Sequence, residues 1–252
     1  MAKKTQKRRA NELRPIRITR NFIDSASGSA LIEMGRTRVL CTASFVPEVP
    51  RWRQESGLGW VTAEYSMLPA STYPRRSRSR IGHTDGRGTE IQRLIGRVLR
   101  AVVDFEKLGP NTIYLDCDVL QADGGTRTAA INGCFVALVD AVRYGLKEGW
   151  LQENPLTASV AAVSVGIVKG KPVLDLDYEL DSRADVDMNI AMTDKGEFIE
   201  VQGCGEQRTF SQEQLDKLLR LAHRGIKQII EQQKNCLKTD VSRPRPFTSP
   251  RR

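Results

Sequence analysis

Apolar and polar residues alternate at period two through Ile16 and Ile18 and again across residues 30–45, where Gly35-Arg36 breaks the run. The chain therefore opens with antiparallel strands. Residues 59–69 read as a further strand. Ile91, Leu94, Ile95, Val98, Leu99 and Val102 then recur at helical spacing, with Thr89 placed to cap that helix. Ile113, Leu115, Cys117 and Val119 alternate before Gly124-Gly125, and Ile131, Cys134, Phe135, Leu138, Val139 and Val142 follow at helical spacing. This is strand, tight loop and helix, the helix starting near Thr126 and running to about Arg143. Residues 158–168 form a β-branched apolar run suited to a buried strand, and Lys169-Gly170 is a hairpin turn. Residues 173–180 alternate apolar and acidic side chains, and residues 197–202 form a strand after the turn at Asp194-Lys195-Gly196. Ser211 with Gln214 has capping-box spacing and Phe210 with Leu215 staple spacing, opening a helix on Leu215, Leu218, Leu219, Ala222, Ile226, Ile229 and Ile230.

At 252 residues the chain can bury a sizeable core. No apolar run approaches the roughly 20 residues that span a bilayer, and the polar, basic start lacks the apolar centre of a secretion signal. A cytoplasmic protein without membrane contact is expected. Its five cysteines, Cys41, Cys117, Cys134, Cys204 and Cys236, include no Cys-x-x-Cys pair, so reduced thiols are expected and zinc is not. His83 and His223 share no motif, which argues against a Ser-His-Asp site. The net charge of +9 is concentrated in residues 3–20, in Arg75, Arg76, Arg78 and Arg80, and in residues 243–252. Such clusters favour a polyanion, nucleic acid first, although a basic run is also what a solvated arm looks like. Residues 1–12 read as a flexible basic arm and residues 235–252 as a disordered Arg/Pro-rich tail, flanking a folded unit of residues 13–234.

The Gly-Gly loop offers a chemical site. A helix N-terminus presents unpaired N–H groups and the positive end of the dipole, so it suits an anion. Gly124 and Gly125 permit close approach, Thr126 and Thr128 offer hydroxyl donors, and Arg127 adds a planar fork that fits phosphate. An ordinary turn with a solvated arginine is the alternative. Arg87 stands just ahead of a second predicted helix, so the two arginines could share one phosphate if the helices lie side by side. Asp181, Asp185 and Asp187 cluster in an otherwise basic chain and fit either a solvated acidic edge or a cation site.

The chain resembles the ribonuclease PH family of bacterial phosphate-dependent 3′ to 5′ exoribonucleases. The resemblance is carried by Leu13-Arg14-Pro15, by Gly59-Trp-Val-Thr-Ala-Glu-Tyr-Ser-Met-Leu-Pro, and by Glu90-Ile-Gln-Arg-Leu-Ile-Gly-Arg. It continues in Leu115-Asp-Cys-Asp-Val-Leu-Gln-Ala-Asp-Gly-Gly-Thr-Arg-Thr-Ala and in the segment from Asp181-Ser to Asp187-Met-Asn, covering roughly residues 10–234. Gly88, Cys204-Gly205 and Leu180 depart from the family pattern without touching the matched ligand positions.

The resemblance implies an α+β ribonuclease PH fold, with βαβ units of the ribosomal protein S5 domain 2-like type and sheets covered by helices. It implies that Arg87, Gly125, Thr126 and Arg127 bind inorganic phosphate, the co-substrate. Asp181 and Asp187 would hold Mg2+ and, with the two arginines, act in catalysis, while Asp185 between them would not be a ligand. The implied activity is phosphorolytic trimming of tRNA precursor 3′ ends, reversible and releasing nucleoside diphosphates, by a homohexamer built as a trimer of dimers. Arg75, Arg76, Arg78 and Arg80 would grip the RNA backbone. Two other readings compete: a catalytically inactive RNA-binding ring subunit of the same fold, and a metal-dependent hydrolase that uses water.

Overall fold

The computed structural model describes residues 8–78 and 86–238. Strands β1 (Ile16–Arg20), β2 (Gly28–Met34), β3 (Thr37–Val46), β4 (Trp60–Met67) and β5 (Thr112–Gln121) form one sheet in the order β1-β2-β3-β5-β4. The hairpin order read from the alternation holds for β1 to β3, which pair antiparallel in sequence. By contrast, β4 and β5 are parallel and need a crossover, which helix α1 (Gly86–Arg100) and the short helix α2 (Phe105–Leu108) supply. A second, wholly antiparallel sheet has the order β7-β6-β8-β9, from β6 (Val160–Val168), β7 (Lys171–Leu174), β8 (Val186–Thr193) and β9 (Phe198–Cys204). Helices α3 (Thr126–Lys147), α4 (Tyr178–Asp181) and α5 (Gln212–Lys238) complete the fold.

Helix α3 lies between the sheets, packing on β2 and β3 from one side and on β6 from the other. It is long and apolar enough to cross a membrane by length and composition, yet 83% of its most apolar window is buried inside the protein. A helix apolar all round is a core helix when other elements cover every face. Its close approach to the first sheet requires glycine at Gly28, where a methyl would run into the backbone of Ala137. Asn132 is buried in the same helix because its side chain has a complete set of partners. Its Nδ2 donates to the Ala162 carbonyl at 2.9 Å and its Oδ1 accepts from the Ala162 N–H at 2.7 Å, covering β6 where β7 has ended.

Several boundaries differ from the sequence reading. Thr89 does not cap α1, because Gly86, Arg87 and Gly88 are already helical; Arg87 thus belongs to the first turn. The period-two pattern over residues 173–180 is not one strand. Asp175 adopts φ +56° and is fully buried, β7 stops at Leu174, and Asp177 caps α4 by accepting the Leu180 N–H at 3.0 Å. Residues 51–56 form a 3₁₀ helix. Within the supposed arm, Arg8 donates to the carbonyls of Leu174 and Asp175 at 3.0 and 2.8 Å, so residues from Arg8 on are tied down. Helix α5 continues past residue 234 to Lys238, since two of its terminal carbonyls find donors: Cys236 takes Arg20 Nη1 and Leu237 takes Arg143 Nη1, each at 2.9 Å. The capping box is present, with Ser211 N–H donating to Gln214 Oε1 at 2.8 Å and Gln214 N–H to Ser211 Oγ at 3.3 Å. Residues 1–7 and 239–252 of the proposed arm and tail lie outside the described residues.

Candidate active site

The end of β5, the start of α3, the first turn of α1 and the segment from α4 to β8 converge on one cleft of about 680 Å3. Arg87, Gly124, Gly125, Thr126, Arg127, Asp181 and Asp187 all line it. Residues more than ninety positions apart in sequence thus share one wall: parallel β4 and β5 deliver both helix starts to the same edge, and the segment that carries the aspartates packs against the glycine loop.

Gly124 and Gly125 have φ of +73° and +63°, left-handed values at which a side chain is strained, so the loop needs glycine for its backbone path as well as for access. Space matters too. A methyl on Gly124 would collide with the backbone of Asp177 and Tyr178, which places the loop directly against the segment that carries Asp181.

Arg127 is mostly buried and held by two side chains, Gln202 Oε1 at 2.8 Å and Glu90 Oε1 at 3.2 Å. Gln202 Nε2 in turn donates to Glu90 at 3.1 Å. Neither Glu90 nor Gln202 was singled out from the sequence, because each becomes informative only when α1 and β9 meet. Thr126 is buried, and its Oγ1 accepts the Tyr65 hydroxyl at 2.8 Å. That tyrosine was also missed, though a phenol on the inward phase of β4 signals a partner to be found. Thr128 departs from expectation: its hydroxyl donates to the Gly125 carbonyl at 3.0 Å and is unavailable to a ligand.

The acidic side of the cleft lacks compensation. Burial, reinforced by Asp181, pushes the Asp187 carboxyl up to about 6, against the pull of Arg127. Burial raises Asp181 as well, opposed by Arg87 and Arg127. Asp187 Oδ1 is buried without a hydrogen-bond partner among the described residues, and Oδ2 has only Asn189 Nδ2 at 3.4 Å. Two desolvated carboxylates with an orphaned oxygen fit a hard, oxygen-preferring cation. Asp185 points elsewhere, toward Arg208 at 3.6 Å.

Of the arginine run, Arg76 lines the cleft, and its backbone N–H bonds to the Pro69 carbonyl at 2.9 Å. Arg75 and Arg78 are exposed on the same loop without lining the cleft, and Arg80 and His83 lie outside the described residues. Cys41, Cys117 and Cys134 gather in the core, where burial pushes the Cys41 thiol well up; Cys204 is exposed.

Residues 12–143 match the 3′ exoribonuclease family, domain 1, and residues 158–225 match its domain 2. Residues of both domains contribute to one hydrophobic core. Ribonuclease PH of Corynebacterium kroppenstedtii is 53% identical over 246 residues, covering 97% of this chain and 95% of that protein. Ribonuclease PH of Bifidobacterium longum is 55% identical over 236 residues, covering 92% and 95%. Among solved structures, rice (Oryza sativa) Rrp46 aligns with a TM-score of 0.75 at 21% identity, covering 92% of this chain and 98% of that one. The Archaeoglobus fulgidus exosome with RNA bound to the active site aligns at 0.73 and 21% identity, covering 89% and 90%. Both share the α+β fold. With both family domains present in order and close relatives matched over nearly their whole length, the chain belongs to the ribonuclease PH group of the 3′ exoribonuclease family, the phosphate-dependent 3′ exoribonucleases.

Proposed function

We propose that the chain trims 3′ extensions of tRNA precursors by phosphorolysis, with inorganic phosphate held by Arg87, Arg127 and the Gly125-Thr126 start of α3. The observation that carries this reading is the single cleft that holds two arginines, a glycine-opened helix start and two undercompensated carboxylates. Hydrogen phosphate already carries a nucleophilic oxygen near neutral pH, so positioning and charge stabilisation are the main demands on the protein. A phosphate oxygen forms a bond to the terminal phosphorus as the bond to the O3′ of the preceding nucleotide breaks. The freed O3′ takes the phosphate proton, leaving a nucleoside diphosphate and a shortened RNA. Because an ester is exchanged for an anhydride, excess nucleoside diphosphate extends RNA in reverse.

Asp181 and Asp187 would hold Mg2+. When bound, the ion supplies positive charge to the phosphoryl oxygens during displacement. Arg127, pinned by Gln202 and Glu90, presents a fixed fork to the anion, while Arg87 reaches it from the first turn of α1. Arg76 at the cleft and the exposed Arg75 and Arg78 would follow the RNA backbone, with Arg80 on the same run. The proposed assembly is a hexameric ring of three dimers in the cytoplasm. The edge strand β9, with Phe198 51% and Val201 47% exposed, supports self-association at that strand.

Incubation with a 3′-extended RNA and Mg2+, with and without phosphate, tests the chemistry. Nucleoside diphosphate released only when phosphate is present supports it. Monophosphate released without phosphate indicates hydrolysis, and binding without release indicates an inactive ring subunit; either result defeats the proposal.

A further inference from the structure

The Asp123-Gly124-Gly125 loop is held from behind by side chains distant in sequence. Arg14 Nη1 donates to the Asp123 carbonyl at 2.7 Å and to the Gly124 carbonyl at 3.4 Å. Thr37 Oγ1 donates to the Gly124 carbonyl at 2.6 Å and accepts the Asp123 N–H at 3.0 Å. In a planar trans peptide the carbonyl and the following N–H point in opposite directions. Fixing the carbonyls of Asp123 and Gly124 on the Arg14 and Thr37 side therefore aims the N–H groups of Gly124 and Gly125 the other way. Glycines at positive φ could adopt other peptide orientations, so the loop itself does not enforce this one.

Arg14 is buried and rigidly placed. Its Nη2 meets Asp175 Oδ1 at 2.6 Å, its Nε meets Oδ2 at 3.0 Å, and its backbone N–H meets the same Oδ2 at 2.8 Å. Asp175 is fully buried at φ +56°, and its N–H donates to the Ser164 carbonyl of β6 at 2.7 Å. Six residues later comes Asp181. The guanidinium thus ties together two pieces of the cleft that also pack on each other at Gly124, the anion loop and the β7–α4 segment that leads to the carboxylates. Arg14 Nη2 would also lie 2.8 Å from a methyl placed on Gly125, so the two are in direct packing contact.

We infer that Arg14, clamped by Asp175 and assisted by Thr37, is a positioning residue that sets the direction of the loop amides and the spacing between the anion site and the carboxylate pair. It does not touch substrate. The inference rests on the phosphate reading of the cleft and adds the device that prepares it.

Thr37→Val is the decisive variant, because valine keeps the shape and removes only the hydroxyl. Loss of the bond that orients one amide is expected to raise the KM for phosphate about 10-fold, with the KM for RNA within about twofold. Thr37→Ser, which keeps the hydroxyl, is expected to return the phosphate KM to within about twofold of wild type. Arg14→Lys preserves a charge for Asp175 but lacks the fork, and is expected to raise the phosphate KM and lower kcat together. Circular dichroism checks the fold of each. If the wild type shows no phosphate dependence, the phosphorolytic reading fails. If it does, and Thr37→Val changes the KM for phosphate and RNA equally or neither, the positioning role is wrong. Failure of Thr37→Ser to rescue a deficient Thr37→Val would equally overturn it.

Discussion

The Tyr65 hydroxyl lies 2.8 Å from Thr126 Oγ1, joining the buried face of β4 to the first residue of α3. Because Tyr65 donates, the threonine oxygen is occupied as an acceptor and its own proton is left available to an acceptor in the cleft that Thr126 lines. Tyr65→Phe removes that bias without changing the ring. The expected outcome is a three- to tenfold rise in the phosphate KM, roughly what one neutral hydrogen bond contributes, and a stability loss of about 1 kcal/mol. Steady-state kinetics and denaturant unfolding check it; an unchanged phosphate KM would show that Thr126 does not depend on its partner.

Asp187 gives a pH-dependent stability signature. Its folded-state pKa of about 6 lies above the ordinary carboxylate value of 3.8, so the native state holds this proton more tightly than the unfolded chain does. The resulting stabilisation is complete below about pH 4 and is lost as pH rises through about 6. At pH 7.5 in chelator, Asp187→Asn is therefore expected to be more stable than wild type by about 1–2 kcal/mol, the shift being discounted for partial solvent access. Near pH 4 the difference should vanish. Added Mg2+ should raise the Tm of wild type and leave the variant unmoved. A variant less stable than wild type at pH 7.5 would mean that the carboxylate has a compensating partner.

Phosphate use and RNA grip should separate genetically. Arg127 is fixed inside the cleft by Gln202 and Glu90, whereas Arg75 and Arg78 are exposed nearby. Arg127→Ala is expected to raise the phosphate KM by at least about 10-fold with a smaller change in RNA affinity. Replacing Arg75, Arg76 and Arg78 together by alanine should weaken RNA binding and flatten its salt dependence, with the phosphate KM nearly unchanged. Equal effects on both substrates in both variants would refute the division.

Edge strand β9 supplies an assembly test. A charge at Val201 opposes burial of that position between subunits, so Val201→Lys is expected to lower the mass measured by light scattering while the secondary structure is retained. An unchanged mass would remove β9 from the proposed interface.

Local order fixed much of this protein. Alternation at Ile16 and Ile18, helical spacing after Gly125 and the Ser211–Gln214 box each describe neighbours along the chain, and the strands and helices appear where those patterns lie. The glycine pair, both arginines and the two aspartates were recognisable for the same reason, since each sits inside a contiguous motif. Other features depend on contacts that no local pattern encodes. Residues 173–180 alternate at period two, yet the backbone turns at Asp175, which is buried against Arg14; Glu90, Gln202 and Tyr65 gained roles only through helix and strand edges brought together across the fold. Periodicity reports which face of an element is apolar, but it is blind to what packs there. Tertiary structure alone decided that the anion loop and the carboxylates share a cleft, because parallel pairing of β4 with β5 and the buried guanidinium of Arg14 set distances that sequence spacing does not contain.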